Sequence, residues 1–436
     1  MTDKMPVPRG QIEYYTRKLP GENIYSLCKA PFAGLEISPD GQIVLCCMSS
    51  RNHLAHIDDV DDIEEFYNGP IMEKYRQELE DGEYKCMNPC GRCYELETKH
   101  KRGFKKTMEG YQTEKKGFSV NGMGNITKFD EDWYARKEGK KRPLRYLEYT
   151  LSNICNASCS TCNSLFSHKW QEIDKKFGRK VFSMVKLGDD SISKIEKVLY
   201  GLETLTIKGG EPFADIRNIR ILKKLYEINP SCRVFIVSNF YTITPEAMEI
   251  LKMSTGHLEV NGSVDGVGRV YDWIRSNTFE HMVKTMERYY KETGRKININ
   301  VCISLYNFFH LEKIINYFKN KEYIRCVSFM NITNRPPYVD IQLLPEKIFN
   351  LQIEKYKKLF KDINKKGYKS WILSEPLLKQ KWRPRFYQET GDDKGQLYND
   401  KENKELFFTE MEKMNKHRGF DLCDHIPELK EWRDSP

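Results

Sequence analysis

Three cysteines stand within eight residues, spaced Cys-x3-Cys-x2-Cys in Ser152-Asn153-Ile154-Cys155-Asn156-Ala157-Ser158-Cys159-Ser160-Thr161-Cys162. Thiolates are soft metal ligands, and the small polar residues between them permit a tight loop. Cys155, Cys159 and Cys162 can hold three irons of a compact iron–sulfur cube and leave the fourth iron open. An open coordination position is what separates a catalytic metal from a closed structural one. A zinc ion completed by a ligand such as His168 is the alternative for the same residues.

The N-terminal region holds Cys28, Cys46, Cys47, Cys86, Cys90 and Cys93. Leu35, Ile37, Ile43 and Leu45 flank Pro39-Asp40-Gly41, a hairpin signal. Cys46 ends the returning strand, Cys28 precedes the outgoing one, and Cys90-Gly91-Arg92-Cys93 is a two-thiol clamp. Four thiolates close a cluster completely. Cys47 would point to the face opposite Cys46, whereas Cys86 is an admissible substitute ligand. A zinc ribbon is the alternative here as well. Cys232, Cys302 and Cys326 lie in or beside apolar strands and read as small packed hydrophobes. Cys423 lies near His425 in an acidic stretch.

The elements that must position these thiols follow from periodicity. Apolar runs predict strands at Leu144–Leu151, Thr204–Ile207, Val234–Val237, Leu258–Ser263, Ile297–Leu305 and Cys326–Met330. Ile216, Ile219, Leu222 and Leu225 mark one face of a helix, and Glu246–Met253 and Phe279–Tyr290 fit the same period. Alternating strands and helices give parallel strands with right-handed crossovers. Six such units make an α/β fold, a partial (β/α)6 barrel with chemistry at the strands' C-terminal ends. The expected division is 1–98 as a Cys-rich hairpin and helix domain, 99–142 as a basic linker, 143–335 as the barrel and 336–436 as a helical extension.

Several loops fall at those strand ends. Lys208-Gly209-Gly210-Glu211-Pro212 offers close backbone approach and a carboxylate acceptor for an ammonium group; a plain strand-to-helix turn is the other reading. Ser238 and Asn239, then Ser263 and Asp265, offer groups for sugar hydroxyls, or caps for the next helices. The composition is that of an ordinary globular protein, with 39% apolar and 31% charged residues. No run is long enough to cross a bilayer, and Met1-Thr2-Asp3-Lys4 begins no apolar signal core, so a cytoplasmic protein without a membrane partner is expected. In that reducing setting, clustered cysteines read as metal ligation. The formal charge of +9 fits a Lys-rich solvated surface. Two bound clusters would lower it to about +6.

The three-cysteine loop resembles the signature of the radical S-adenosylmethionine (SAM) superfamily. The resemblance implies that the open iron chelates SAM, that Gly209, Gly210, Glu211 and Pro212 form the glycine-rich motif facing its amino group, and that Ser263 meets its ribose. It also implies that Arg275 faces its carboxylate. The chain departs from the family at Thr161, where an aromatic or bulky residue is usual. The N-terminal pattern Cys28-x12-Gly41-x4-Cys46 with Cys90-x2-Cys93 resembles the Twitch domain, a shortened SPASM domain holding one auxiliary 4Fe–4S cluster. Here it precedes the core that it usually follows. The implied protein is a radical SAM enzyme with two 4Fe–4S clusters that abstracts hydrogen from a peptide or protein side chain. A sugar or nucleotide derivative is the alternative substrate, and flavodoxin or ferredoxin the implied electron donor. A non-enzymatic zinc protein that binds nucleic acid is the rival of another class; nucleic acid is otherwise not expected as a partner.

Overall fold

A computed structural model describes residues 30–46, 53–80, 141–333, 336–365 and 400–435, with short strands at Thr16–Leu19, Asn23–Ser26, Ile372–Leu373, Phe386–Tyr387 and Gln396–Leu397. Cys28, Cys47, Cys86, Cys90 and Cys93 lie outside the described residues, as does the basic stretch 99–140. The chain divides into two compact units, one of residues 1–153, 185–236 and 249–258, the other of 154–184, 237–248 and 259–436.

The strands that carry the site are β1 (Gly34–Ile37), β2 (Gln42–Val44), β3 (Ala55–His56), β4 (Tyr146–Thr150), β5 (Thr204–Lys208), β6 (Arg233–Ser238), β7 (Leu258–Ser263), β8 (Ile297–Ile303) and β9 (Ile324–Ile332). All six apolar runs of the central region are therefore strands, and each is followed by helix, as the α/β reading expects. The helices at Ile216–Ile228, Pro245–Lys252 and Phe279–Thr293 match the predicted periodicity. The C-terminal region is helical at Glu346–Lys365, Asp400–Arg418 and Pro427–Asp434. No helix among the described residues is long and apolar enough to cross a membrane.

In the first unit β4, β5 and β6 run parallel, with Leu147 opposite Leu205 and Leu205 opposite Val234. Alternation puts Leu147, Tyr149, Leu205, Ile207, Val234 and Ile236 on one buried face. The helices Asp189–Val198 and Ile216–Ile228 bury Ile192, Ile195, Ile219, Leu222 and Leu225. The opposite face carries Tyr146, Glu148, Thr204 and Thr206, all buried and polar. The predicted hairpin forms as β1 and β2, with Gly41 at a positive φ of 80° in its turn. Its outgoing strand does more than the sequence showed: β1 pairs in parallel with β4, Gly34 opposite Tyr146 and Ile37 opposite Tyr149. Gly34 permits this pairing, because an added Cβ would stand 1.9 Å from the Tyr146 carbonyl oxygen.

In the second unit β7, β8 and β9 run parallel, with Asn298 opposite Asn261 and Cys326. Ile297, Ile299, Val301 and Ile303 of β8 are fully buried. Helix Phe279–Thr293 ends on Gly294 in the left-handed region, which glycine adopts without strain.

Candidate active site

The 155–162 loop lies in the second unit, seated on the C-terminal end of helix Arg269–Arg275. The Ser160 N–H donates to the Ile274 carbonyl at 2.7 Å, and its hydroxyl donates to that of Trp273 at 3.0 Å. Ser276, in the left-handed region at φ 60°, caps that helix, and its Oγ accepts from the Ser158 N–H at 2.7 Å. Other side chains hold the loop elsewhere. Trp170 Nε1 donates to the Cys159 carbonyl at 3.0 Å, and Ser167 Oγ to the Ala157 carbonyl at 2.6 Å. His168 Nδ1 accepts from the Cys155 N–H at 3.1 Å, and Asn239 Nδ2 donates to Asn156 Oδ1 at 2.7 Å. A loop fixed along its backbone presents its thiols in one arrangement.

Those thiols lie together, Cys155 and Cys159 buried and Cys162 half-buried against them. The Ala157 N–H points at Cys155 Sγ from 3.4 Å, the kind of contact that stabilises charge on a metal-bound sulfur. Burial pushes the Cys159 thiol up, with Arg275 opposing. Burial and then the neighbouring Cys159 push Cys162 up as well. Thiols crowded in this way stay neutral alone and charge against a metal cation. Among the described residues no three His, Cys, Asp or Glu side chains close to single-ion spacing.

Arg275 stands beside this loop. Its Nη1 pairs with Asp265 Oδ2 at 3.1 Å, while its Nε is buried with no hydrogen-bond partner. Asp265 is fixed in turn: Oδ1 accepts from the Cys302 N–H at 2.7 Å, and its carbonyl accepts from Asn307 Nδ2 at 3.0 Å. Burial raises the Asp265 carboxyl, against the pull of Arg275. Both Asp265 oxygens are thus engaged within the protein, and its evident action is on Arg275. Three soft thiol donors and an orphaned guanidinium N–H fit a thiolate-bound iron–sulfur cluster whose further ligand is anionic.

The remaining expected residues of this unit sit at strand ends. Ser238 Oγ accepts from the Phe240 N–H at 2.9 Å, and Asn239 Oδ1 from the Tyr241 N–H at 2.8 Å. Phe240 itself is buried at a positive φ of 54°, a conformation costly for a bulky residue and sustained by packing. Ser263 ends β7 half-buried, opposite Asn300.

Gly209, Gly210, Glu211 and Pro212 belong to the first unit. Gly209 takes φ 134°, and an added Cβ would lie 2.9 Å from Thr150 Cγ2 and 3.1 Å from the Ser152 carbonyl. The Gly210 N–H donates to that carbonyl at 3.3 Å. Ser152 Oγ donates to Asp215 Oδ2 at 2.6 Å, and Asp215 pairs with Arg217 at 2.5 Å. Despite its burial, those hydrogen bonds hold the Asp215 carboxyl below its usual range. Glu211 is buried, and Oε1 accepts from the Phe213 N–H at 3.2 Å. That contact is what the strand-to-helix turn reading of this segment expects.

Sequence reading missed Ser276, Trp170, Ser167 and Asn156 as residues that fix the loop: Ser276 and Asn156 act across 118 and 83 residues, and Trp170 and Ser167, 11 and 10 residues from their partners, belong to no motif read there. Cys232 and Cys326 are buried, as expected of packed thiols, whereas Cys302 is half-buried; Cys423, for which no packing was expected, is buried too. Of the auxiliary set only Cys46 is described, half-buried just after β2.

Comparison with known proteins adds two family matches. The model of the Radical SAM superfamily matches residues 149–318, and that of the SPASM iron–sulfur cluster-binding domain matches residues 28–94. Among solved structures, native anSMEcpe with bound AdoMet is 15% identical over 52% of this chain and 64% of that chain, with a TM-score of 0.40. SuiB of Streptococcus suis bound to S-adenosylmethionine is 18% identical over 51% of this chain and 48% of that one, with a TM-score of 0.38. SuiB bound to its precursor peptide SuiA is 15% identical over 77% and 70%, with a TM-score of 0.39. The matches to the first two cover less than two-thirds of those structures' own lengths. No curated protein matches the chain.

Proposed function

We propose, from the premise that this chain is a radical SAM protein carrying a SPASM-type iron–sulfur domain on the N-terminal side of its core, that it is an enzyme abstracting hydrogen from an unreactive carbon of a peptide or protein side chain. The observation that carries the reading is the 155–162 loop, with three clustered thiols on a backbone fixed at every turn. Cys155, Cys159 and Cys162 would hold the cluster through three irons. When bound, the cluster and SAM supply an electron and a sulfonium whose reductive cleavage yields methionine and a 5′-deoxyadenosyl radical. The chain's own task is to orient and to exclude water.

Arg275, held by Asp265 and with Nε free of other duty, is placed to bind a carboxylate. By the resemblance, Gly209, Gly210 and Glu211 are the candidates for the amino group. Ser238, Asn239 and Ser263 are the candidates for ribose hydroxyls. Cys28, Cys46, Cys90 and Cys93, or Cys86 in place of one of them, would close the auxiliary cluster. The peptide reading rests on the resemblance of the N-terminal region to domains borne by peptide-modifying enzymes; a sugar or nucleotide derivative is the second substrate class. A flavodoxin- or ferredoxin-type donor would deliver the electron.

Anaerobically reconstituted protein tests this. The expected result is about seven to eight irons per chain and 5′-deoxyadenosine formed from SAM and dithionite. Cys155→Ala abolishes that cleavage, while Cys90→Ala removes about half the iron and leaves some cleavage. Zinc-loaded, colourless protein under the same treatment would support the rival instead.

A further inference from the structure

We infer that the helix Asp400–Arg418 belongs to the cluster site: Arg418 is a positioning residue that clamps the 155–162 loop and places a positive charge beside its thiols. Nothing in the sequence connects the two segments. Arg418 closes its helix just before Gly419, which takes a positive φ of 80°. A basic residue there commonly serves only the helix dipole. Here the guanidinium is used otherwise. Its Nη1 donates to Ser158 Oγ at 3.2 Å, Nη2 donates to the Ser158 carbonyl, and Nε donates to the Trp273 carbonyl at 2.9 Å. One planar fork thus joins the loop to the helix on which it rests, a geometry that lysine cannot reproduce.

The rest of the helix is anchored to bring Arg418 to this position. Asn415 Oδ1 accepts from Trp273 Nε1 at 2.8 Å, and Asn415 Nδ2 donates to Asp421 Oδ1 at 2.8 Å. A turn earlier Glu410 pairs with Arg179, and Phe407 stacks on Tyr306 with ring centroids 5.2 Å apart.

Charge is the second argument. Each of the Arg418 hydrogen-bond partners is neutral, and no carboxylate among the described residues forms an ion pair with it. A half-buried cation without a counter-ion is costly, and burial lowers the Arg418 pKa to about 10, opposed by Cys159. Three thiolates around a four-iron cluster carry a net negative charge, which supplies the missing partner. Arg275 already has Asp265, so Arg418 is the uncompensated one of the two.

This inference rests on the reading that the loop holds a cluster, and its test separates the two. Full-length wild type, Arg418→Gln, Arg418→Lys and Lys416→Gln are reconstituted, and the cluster midpoint is read by redox titration followed by electron paramagnetic resonance. Lys416 is 75% exposed and paired with Glu412, so it removes the same charge from a screened position. Arg418→Gln is expected to move the midpoint to a more negative potential, with Arg418→Lys and Lys416→Gln near wild type. In the iron-free chain, alkylation of Cys159 followed by mass spectrometry reads the clamp alone. Loss of the fork in Arg418→Lys, which keeps the positive charge, is expected to speed it roughly tenfold.

A wild-type midpoint in Arg418→Gln overturns the charge role, and wild-type alkylation overturns the clamp. Should Arg418→Gln fail to fold, Arg418→Lys carries the alkylation test with the same two outcomes. If wild type binds no cluster that Cys155→Ala removes, the reading of the loop falls with the charge role, while alkylation still decides the clamp.

Discussion

Glu36 and Glu148 stand opposite each other on β1 and β4, on the polar face of the first unit's sheet. Tyr146 Oη donates to Glu148 Oε2 at 2.6 Å, Lys208 pairs with the other oxygen, and Glu36 Oε2 is buried without a partner. Burial pushes the Glu36 carboxyl from 4.5 up to about 8, Glu148 adding to the rise and Lys208 opposing it. Because the folded value lies above the unfolded one, the stabilisation is complete below pH 4.5 and is lost as pH rises through 8. Glu36→Gln should therefore flatten the fall in thermal midpoint across that window; parallel wild-type and variant curves would refute the assignment. None of this was legible beforehand, since Glu36 sits in a hairpin whose strand partner lies over a hundred residues away. The cysteines were legible because thiol spacing is local. The engagement of Asp265 with Arg275 was not, because it depends on where the loop after β7 folds back; that of Glu211 with the Phe213 N–H is local and matches the strand-to-helix turn reading.

Strands β4 to β9 could be read from the sequence because each is a short run of apolar or alternating residues closed by turn chemistry, and their parallel pairing follows from the helices between them. The docking of β1 on β4 escaped that logic. It depends on Gly34 meeting the Tyr146 carbonyl, a contact without a sequence signature. Gly34→Ala is expected to cost about 3 kcal/mol by forcing the strands apart. Gly188→Ala, where nothing lies within 4 Å of an added Cβ, should cost about 1 kcal/mol or less. Urea unfolding of both variants measures the difference, and equal midpoints would contradict the close-approach argument. The helical extension shows the same limit. Its helices were expected, yet Arg418 meets Ser158 across 260 residues, and periodicity says nothing of partners that remote.

Across the whole molecule, the two family matches at 28–94 and 149–318 coincide with the two cysteine groups, and the most regular strand–helix alternation lies in the second. On the proposed reading the first group would supply thiols for a closed cluster, and the second a set of three that would leave one iron open. On this account the chemistry begins at that iron. The most direct measurement is the electron paramagnetic resonance spectrum of the dithionite-reduced chain before and after S-adenosylmethionine is added. The account predicts a cluster signal that changes on addition in wild type and in Cys90→Ala, and is lost in Cys155→Ala. A signal indifferent to S-adenosylmethionine, or one that survives in Cys155→Ala and still responds to it, would contradict the account.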